Sequence, residues 1–286
     1  MSDLQQGCSP SECGTKPACA GCSHNHNQAA ETAEKEPPKV RKVIGVVSGK
    51  GGVGKSLVSG ELAVMLSRMG YRVGVLDADI TGPSIPRMFG IHDKALGDGE
   101  HIFPAETEKG IEVMSINLML ENDDAPVIWR GPAKIGVLKQ LLEEVVWGEL
   151  DYLVLDFPPG TGDEVLSACQ MITGDKQAVI VTTPQELSMA DCRKCLDFCK
   201  KVEVRVGGII ENMSGFTCPD CGHTHPLFSN GGGERLAKAY SIPLIAQLPL
   251  DPKFMAKCDE GSIAAALENS PAIGSAMDIA AEILSR

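Results

Sequence analysis

Residues Gly49 to Ser56 read Gly-Lys-Gly-Gly-Val-Gly-Lys-Ser, a complete phosphate-binding loop. The motif constrains the fold because it works only between a strand and the start of a helix. Both neighbours are present. Val43-Ile44-Gly45-Val46-Val47 is an apolar, β-branched run before the loop, and a helical pattern runs from Leu57 to Met69 after it. The glycines let successive backbone N–H groups turn toward the β- and γ-phosphates with no Cβ in the way. The helix N-terminus adds its positive dipole. Lys55 supplies a point charge on those phosphates, and the Ser56 hydroxyl can ligate Mg²⁺. Gly49, Lys50, Gly51, Gly52, Val53, Gly54, Lys55 and Ser56 therefore make a cradle for a nucleoside triphosphate. Lys50 is extra to the ordinary loop and, this early in it, points away from its own β-phosphate pocket. It is either a solvated lysine or a group that reaches a nucleotide held by a second subunit, as an arginine finger does in trans.

From Val43 onward apolar strands alternate with helical patterns. The strands are expected at 43–48, 72–77, 152–156, 178–182, 206–210 and 244–247, and the helices at 55–69, 133–146, 163–172, 188–200, 233–239 and 272–284. Such alternation predicts an α/β, doubly wound, mostly parallel sheet with helices on both faces, which binds ligands at the carboxyl ends of its strands. A 43% hydrophobic content with only 4% aromatic residues suits a parallel sheet filled with Val, Ile, Leu and Ala. The chain divides into residues 1–40, a flexible cysteine-rich segment and linker, and residues 41–286, the nucleotide-binding domain. A net charge of −12 with no basic cluster argues against nucleic acid or an anionic membrane as partner. The amino terminus has no apolar export segment, and no apolar run has the length of a membrane span. With eleven cysteines and no export signal, metal or redox use is expected over a disulfide framework, and the compartment is expected to be cytoplasmic.

Two further apolar strands end in acids. One runs into Asp77-Ala78-Asp79-Ile80-Thr81-Gly82-Pro83-Ser84 and the other into Asp156-Phe157-Pro158-Pro159-Gly160-Thr161-Gly162-Asp163. An aspartate at the end of a buried strand beside the loop is where Mg²⁺ and its waters need charge. Asp156 fits the Walker-B role. Asp77 and Asp79, two apart, would face the same side of a regular strand, one assisting the Mg²⁺ shell and the other orienting the attacking water. Asp163 precedes a helical run and is equally readable as a cap. Asn212 closes another strand, where it can hydrogen-bond the adenine edge, with residues 249–252 beside that base, or serve as a structural strand-end amide.

Cys218-Pro219-Asp220-Cys221-Gly222-His223 is a CxxC turn in a polar loop. Two thiolates at this spacing can grip one metal or two corners of an iron–sulfur cluster, but a full site takes four ligands. Three completions are open: His223 and His225, a second copy of the loop across a two-fold axis, or a redox-active pair. Cys8, Cys13, Cys19 and Cys22 supply four thiolates in one short segment, suited to an iron–sulfur cluster or to zinc. Cys192, Cys195 and Cys199 recur on one helix face, either as a third site or as small residues lining a helix–sheet contact.

The loop from Gly49 to Ser56 resembles the deviant phosphate loop of dimerising ATPases, which include the partition, division-site and nitrogenase iron-protein families. With the segments at Asp77–Ser84, Asp156–Asp163, Glu211-Asn212-Met213-Ser214 and Cys218–His223, the chain resembles the Mrp-type iron–sulfur cluster carrier ATPases over residues 40–286. The resemblance implies a homodimer, or a heterodimer with a related subunit. It implies that ATP and Mg²⁺ bind at the phosphate loop and that ATP is hydrolysed slowly. It also implies a labile 4Fe–4S cluster held between paired Cys218/Cys221 turns and passed to apo iron–sulfur proteins. In that scheme Lys50, Lys55 and Asp79 are catalytic, Asn212 touches the base, and Ser56, Asp77 and Asp156 serve the Mg²⁺. The tail cysteines resemble the extra segment of the eukaryotic cytosolic scaffold branch, although here the close pair Cys19/Cys22 comes last. The alternative is a partition- or division-site-type dimeric ATPase with a structural zinc site. Such proteins carry a basic amphipathic terminal helix, whereas residues 271–286 contain one basic residue.

Overall fold

Strand β1 (Val40–Ser48) is buried from its third residue on, because helices cover both faces of the sheet it centres. Its side chains alternate, Ile44 and Val46 entering one core, Val43 and Val47 the other. The structure, a computed structural model, describes residues 40–120, 131–218, 221, 223–228 and 231–286. The tail cysteines Cys8, Cys13, Cys19 and Cys22 lie outside the described residues.

After β1 come α1 (Lys55–Arg68), β2 (Val73–Asp77), a single-turn α2 (Ile85–Met88) and the short strands β3 (Leu96–Gly97), β4 (Ile102–Phe103), β5 (Ala105–Glu106) and β6 (Glu112–Ser115). Then follow α3 (Gly131–Glu143), β7 (Leu150–Asp156), α4 (Asp163–Met171), β8 (Asp175–Thr182), α5 (Glu186–Lys201) and β9 (Arg205–Thr217). The chain ends with β10 (Thr224–His225), α6 (Gly232–Tyr240), β11 (Leu244–Leu250), α7 (Pro252–Asp259), α8 (Ile263–Asn269) and α9 (Pro271–Ser285).

The main sheet has nine strands, in the order β10-β9-β8-β1-β7-β2-β6-β5, with β11 also pairing with β9. From β6 across to β9 and β11 every neighbouring pair is parallel, and only β5 and β10 run against their neighbours. The chain leaves β1 toward β2 on one side and later returns to place β8 and β9 on the other. That reversal opens a crevice at the carboxyl end of β1, which is where the phosphate loop sits. All six expected strands and six expected helices are present. β6 was not expected, because four residues carry too little pattern to separate a strand from a loop.

On one face α1, α8 and α9 pack through Leu62, Leu66, Ala266, Met277 and Leu284. On the other, α3 to α6 pack through Leu138, Val165, Leu196 and Leu236. Cys192, Cys195 and Cys199 are buried in this second layer, and burial pushes the thiols of Cys195 and Cys199 up to about 12. They are packing residues, as a small apolar stripe on a helix–sheet contact should be. Among the described residues no helix is long and apolar enough to cross a membrane.

One acid is out of place in this core. Glu61 on α1 is 1% exposed, its Oε2 has no hydrogen-bond partner, and burial raises its carboxyl to about 8. The folded state therefore holds this proton up to about pH 8, while the unfolded chain releases it near the ordinary value. Stability contributed by the neutral carboxyl is full below the unfolded value and lost as pH rises toward 8. Glu61→Gln removes that loss. The stability of the variant relative to wild type should climb by up to about 1.4 kcal/mol for each pH unit across the interval. Urea unfolding of both chains in acid and at alkaline pH measures it, and a difference that does not change with pH would refute the neutral-carboxyl account.

Candidate functional site

The phosphate loop turns on two left-handed glycines, Gly52 (φ 76°) and Gly54 (φ 84°), the latter immediately before α1. This turn directs the N–H groups at the start of α1 outward from the strand end. Gly49 meets a different demand, since a Cβ there would run into the backbone of Asp191 on α5. Ser48 Oγ donates to the Lys50 carbonyl (3.0 Å), and Gly160 N–H donates to the Ser48 carbonyl (2.8 Å), so the β7 loop braces the phosphate loop from the side.

Lys55 is 6% exposed, and its ammonium donates to Asp156 Oδ1 at 2.7 Å. The same oxygen accepts from Ser59 Oγ (2.8 Å), and the Ser56 hydroxyl lies 3.4 Å from Lys55 Nζ. Asp156 Oδ2 is buried with no partner. A fully buried carboxylate with one unsatisfied oxygen beside a serine hydroxyl is a hard-oxygen donor set, which fits Mg²⁺ or one of its waters. Lys50 donates to Gln185 Oε1 at 2.9 Å.

Asp77 and Asp156 stand opposite each other on paired strands. The expectation that Asp77 and Asp79 share a strand face does not hold, because β2 ends at Asp77. The Asp77 carboxylate folds back onto the chain and accepts from the backbone N–H groups of Asp79 (3.1 Å), Ser84 (2.8 Å) and Ile85 (3.1 Å). Those bonds turn residues 78–85 away from the strand direction and end the two-residue alternation. Asp79 lies in the turn, half-buried, accepting from Thr81 Oγ1 (2.8 Å). Burial, with the Asp156 charge adding to it, raises the Asp77 carboxyl to about 8. Asp163 is the first residue of α4, in the turn where a carboxylate complements the helix dipole.

Asn212 lies against the same loop. Its Nδ2 donates to the Val53 carbonyl at 3.0 Å, filling the space a Cβ on Gly54 would need. Asp251, in the segment expected beside the base, caps α7 by accepting from Lys253 and Phe254 N–H. β9 runs on from Asn212 to Thr217, so Cys218 emerges at the same end of the sheet as the phosphate loop. Cys218 is half-buried and its N–H donates to the His223 carbonyl (2.9 Å); Cys221 is exposed. His223 and His225 stack edge to face on each other, ring centroids 4.8 Å apart. Among the described residues no three His, Cys, Asp or Glu side chains gather as a metal site.

The model of the ParA-group family described as NUBPL iron-transfer P-loop NTPase matches residues 39–284. This chain belongs to that family. The NUBPL-type chain is 45% identical over 251 residues to the cytosolic Fe-S cluster assembly factor NUBP2 of Homo sapiens, covering 86% of this chain and 93% of that one. It is 45% identical over 254 residues to the iron-sulfur cluster carrier protein of Methanocaldococcus jannaschii, covering 87% and 88%. Among solved structures, the nucleotide-binding protein of Archaeoglobus fulgidus in complex with ADP aligns with a TM-score of 0.70 at 41% identity, over 79% of this chain and 88% of that one. The septum site-determining protein MinD of Pyrococcus horikoshii aligns with a TM-score of 0.60 at 24% identity, over 85% and 96%, and shares the fold.

The contacts of three residues of this NUBPL-type site were not read from the sequence. Ser59, one helical turn after Lys55, shares Asp156 with it. That i, i+4 spacing on α1 was the available signal. Gln185 holds Lys50, and Glu211 pins β9 by accepting from Gly233 N–H (2.5 Å) and Gln247 Nε2 (2.9 Å). Both join segments far apart in the chain, and no local pattern announces them.

Proposed function

We propose that this protein is an ATP-hydrolysing carrier of a 4Fe–4S cluster. It works in the cytoplasm as a homodimer, or paired with a related subunit, and delivers its cluster to apo iron–sulfur proteins. The observation that carries the reading is the pair Cys218, half-buried, and Cys221, exposed, at the same sheet end as the phosphate loop. A 4Fe–4S cluster takes four thiolates, and an isologous dimer presents this pair twice. Among the described residues His223 and His225 do not gather with the two cysteines as a metal site, which supports that completion over a local zinc knuckle. The names of the relatives from Homo sapiens and Methanocaldococcus jannaschii support the same cargo.

Gly49 to Ser56 cradle the triphosphate, and Lys55 exchanges its carboxylate partner Asp156 for the β- and γ-phosphates. Ser56 and Asp156 would hold Mg²⁺, with Asp77 next to them, and that ion would neutralise charge on the phosphate oxygens. Asp79 orients the attacking water. Lys50, released from Gln185, reaches the nucleotide of the second subunit. The partition-type alternative is less well supported, because α9 buries Ile273, Met277, Ala281 and Leu284 in the core and so does not present its apolar face as a surface-binding terminal helix would.

Anaerobic reconstitution with iron and sulfide tests the reading. Wild type should take up iron with a broad charge-transfer absorbance. Cys218→Ala/Cys221→Ala should lose about four irons per dimer. A chain lacking residues 1–36 should keep them, which separates any iron held by Cys8, Cys13, Cys19 and Cys22. Tight zinc uptake with no iron in any variant would overturn the carrier reading.

A further inference from the structure

We infer that Asn212 and Met213 form a mechanical link that transmits the position of the phosphate loop to the Cys218/Cys221 turn, with Asn212 as a positioning residue. The link rests on the carrier reading only for the identity of the cargo. Its contacts are continuous. Asn212 Nδ2 holds the Val53 carbonyl of the phosphate loop (3.0 Å), and Asn212 Oδ1 accepts the N–H of Met213 (2.8 Å). Cys218 follows five residues after Met213, immediately past the end of the same strand.

β9 is also irregular earlier, at Val206–Gly208 against β8 and at Ile209–Ile210 against β11, but there it is paired on both sides, and just past Glu211 it is not. Glu211 is 1% exposed and pinned on both carboxylate oxygens, to Gly233 N–H and to Gln247 Nε2. Pairing with β8 also ends at Glu211. Beyond it, the β11 register runs from Leu248 opposite Asn212 to Leu250 opposite Phe216, so three residues of β9 face Pro249 alone. Proline has no N–H to give the ladder. Met213 opens this bulge with φ 55°, a left-handed conformation that a non-glycine side chain adopts only when its surroundings hold it there. One such hold is the bond from Met213 N–H to Asn212 Oδ1, whose own amide nitrogen is tied to Val53. A shift of the Val53 carbonyl when phosphates occupy the loop would therefore move Asn212, release or tighten Met213, and re-aim the segment that ends in Cys218. A bulge that can adopt two arrangements is the kind of element through which two sites bias each other.

The test reads thiols and needs no cluster. Full-length protein is treated with N-ethylmaleimide, with and without Mg²⁺ and a non-hydrolysable ATP analogue at saturation. Alkylation of Cys218 and Cys221 is followed by peptide mass spectrometry, and dimer formation by sedimentation. In wild type the nucleotide should change the alkylation rate by about fivefold, the lower range of ordinary site-to-site coupling. Met213→Gly touches no nucleotide group. It should bind the analogue and dimerise as wild type does, yet lose the response, because glycine occupies positive φ without being held. Asn212→Ala at saturating analogue should lose the response too. A wild type whose thiols ignore nucleotide overturns the link, and so does a dimeric Met213→Gly chain that keeps the full response. A thiol response in a protein that takes up no iron would instead overturn the cargo reading and leave the link standing.

Discussion

Replacing Lys55 with alanine should slow ATP hydrolysis by at least about a hundredfold, the usual effect of deleting a preorganised charge on the transferring group. The same change should destabilise the fold by about 3–5 kcal/mol, because it strands a buried carboxylate. Both effects follow from one geometry. Lys55 and Asp156 are paired at 2.7 Å with side chains 7% and 0% exposed, so neither charge has water to fall back on. Asp156 already has one oxygen without a partner, and losing Lys55 would leave Ser59 as the only group satisfying the other. The two effects can be separated. Lys55→Met/Asp156→Asn removes both charges and should recover most of the stability while hydrolysis stays lost. Urea denaturation and phosphate release, measured on wild type and both variants, decide it. A Lys55→Ala chain as stable as wild type would mean that the pair is solvated and that the buried-charge account is wrong.

Gly49→Ala should disable the loop although it removes no charge and no hydrogen-bonding group. Its Cβ would meet the Asp191 main chain, with the Cys192 nitrogen 2.7 Å away, and a helix backbone cannot rotate aside as a flexible side chain can. Either α5 or the phosphate loop must move. Overpacking of this kind costs about 1–3 kcal/mol. A displacement near 1 Å at the phosphates would lower hydrolysis on the order of a hundredfold. Gly51→Ala is the matched control. Its Cβ would have Pro159 Cγ as nearest neighbour at 3.9 Å, so its stability should stay within about 0.5 kcal/mol of wild type. Thermal unfolding of the two variants makes the comparison, and equal stability would show that close approach to α5 is not what position 49 requires.

The phosphate loop, the strand–helix alternation and the strand-end acids were legible in the sequence because each is a local pattern. Glycines at fixed spacing select a turn, β-branched runs select buried parallel strands, and an aspartate at a strand end lands at the ligand edge of a parallel sheet. The cysteine stripe on α5 was legible as one helix face, and only its burial against the sheet decided for packing over a third site. Asp79 was misplaced for an equally local reason. Period-two reasoning assumes the strand continues, and the three N–H groups that Asp77 gathers stop it.

The sequence by itself determined the chemistry on offer: a triphosphate cradle, acids suited to Mg²⁺, and a thiol pair. Only the tertiary structure decided how those parts are connected. The Lys55–Asp156 pair spans 101 positions in the chain, the Lys50–Gln185 contact 135 and the Asn212–Val53 contact 159. Contacts at such separations arise from strand order and sheet twist, which no short-range periodicity encodes. The sheet brings the carboxyl ends of β1, β7 and β9 to one edge, and so places the phosphate loop, its buried carboxylate and the strand leading to Cys218 within reach of one another.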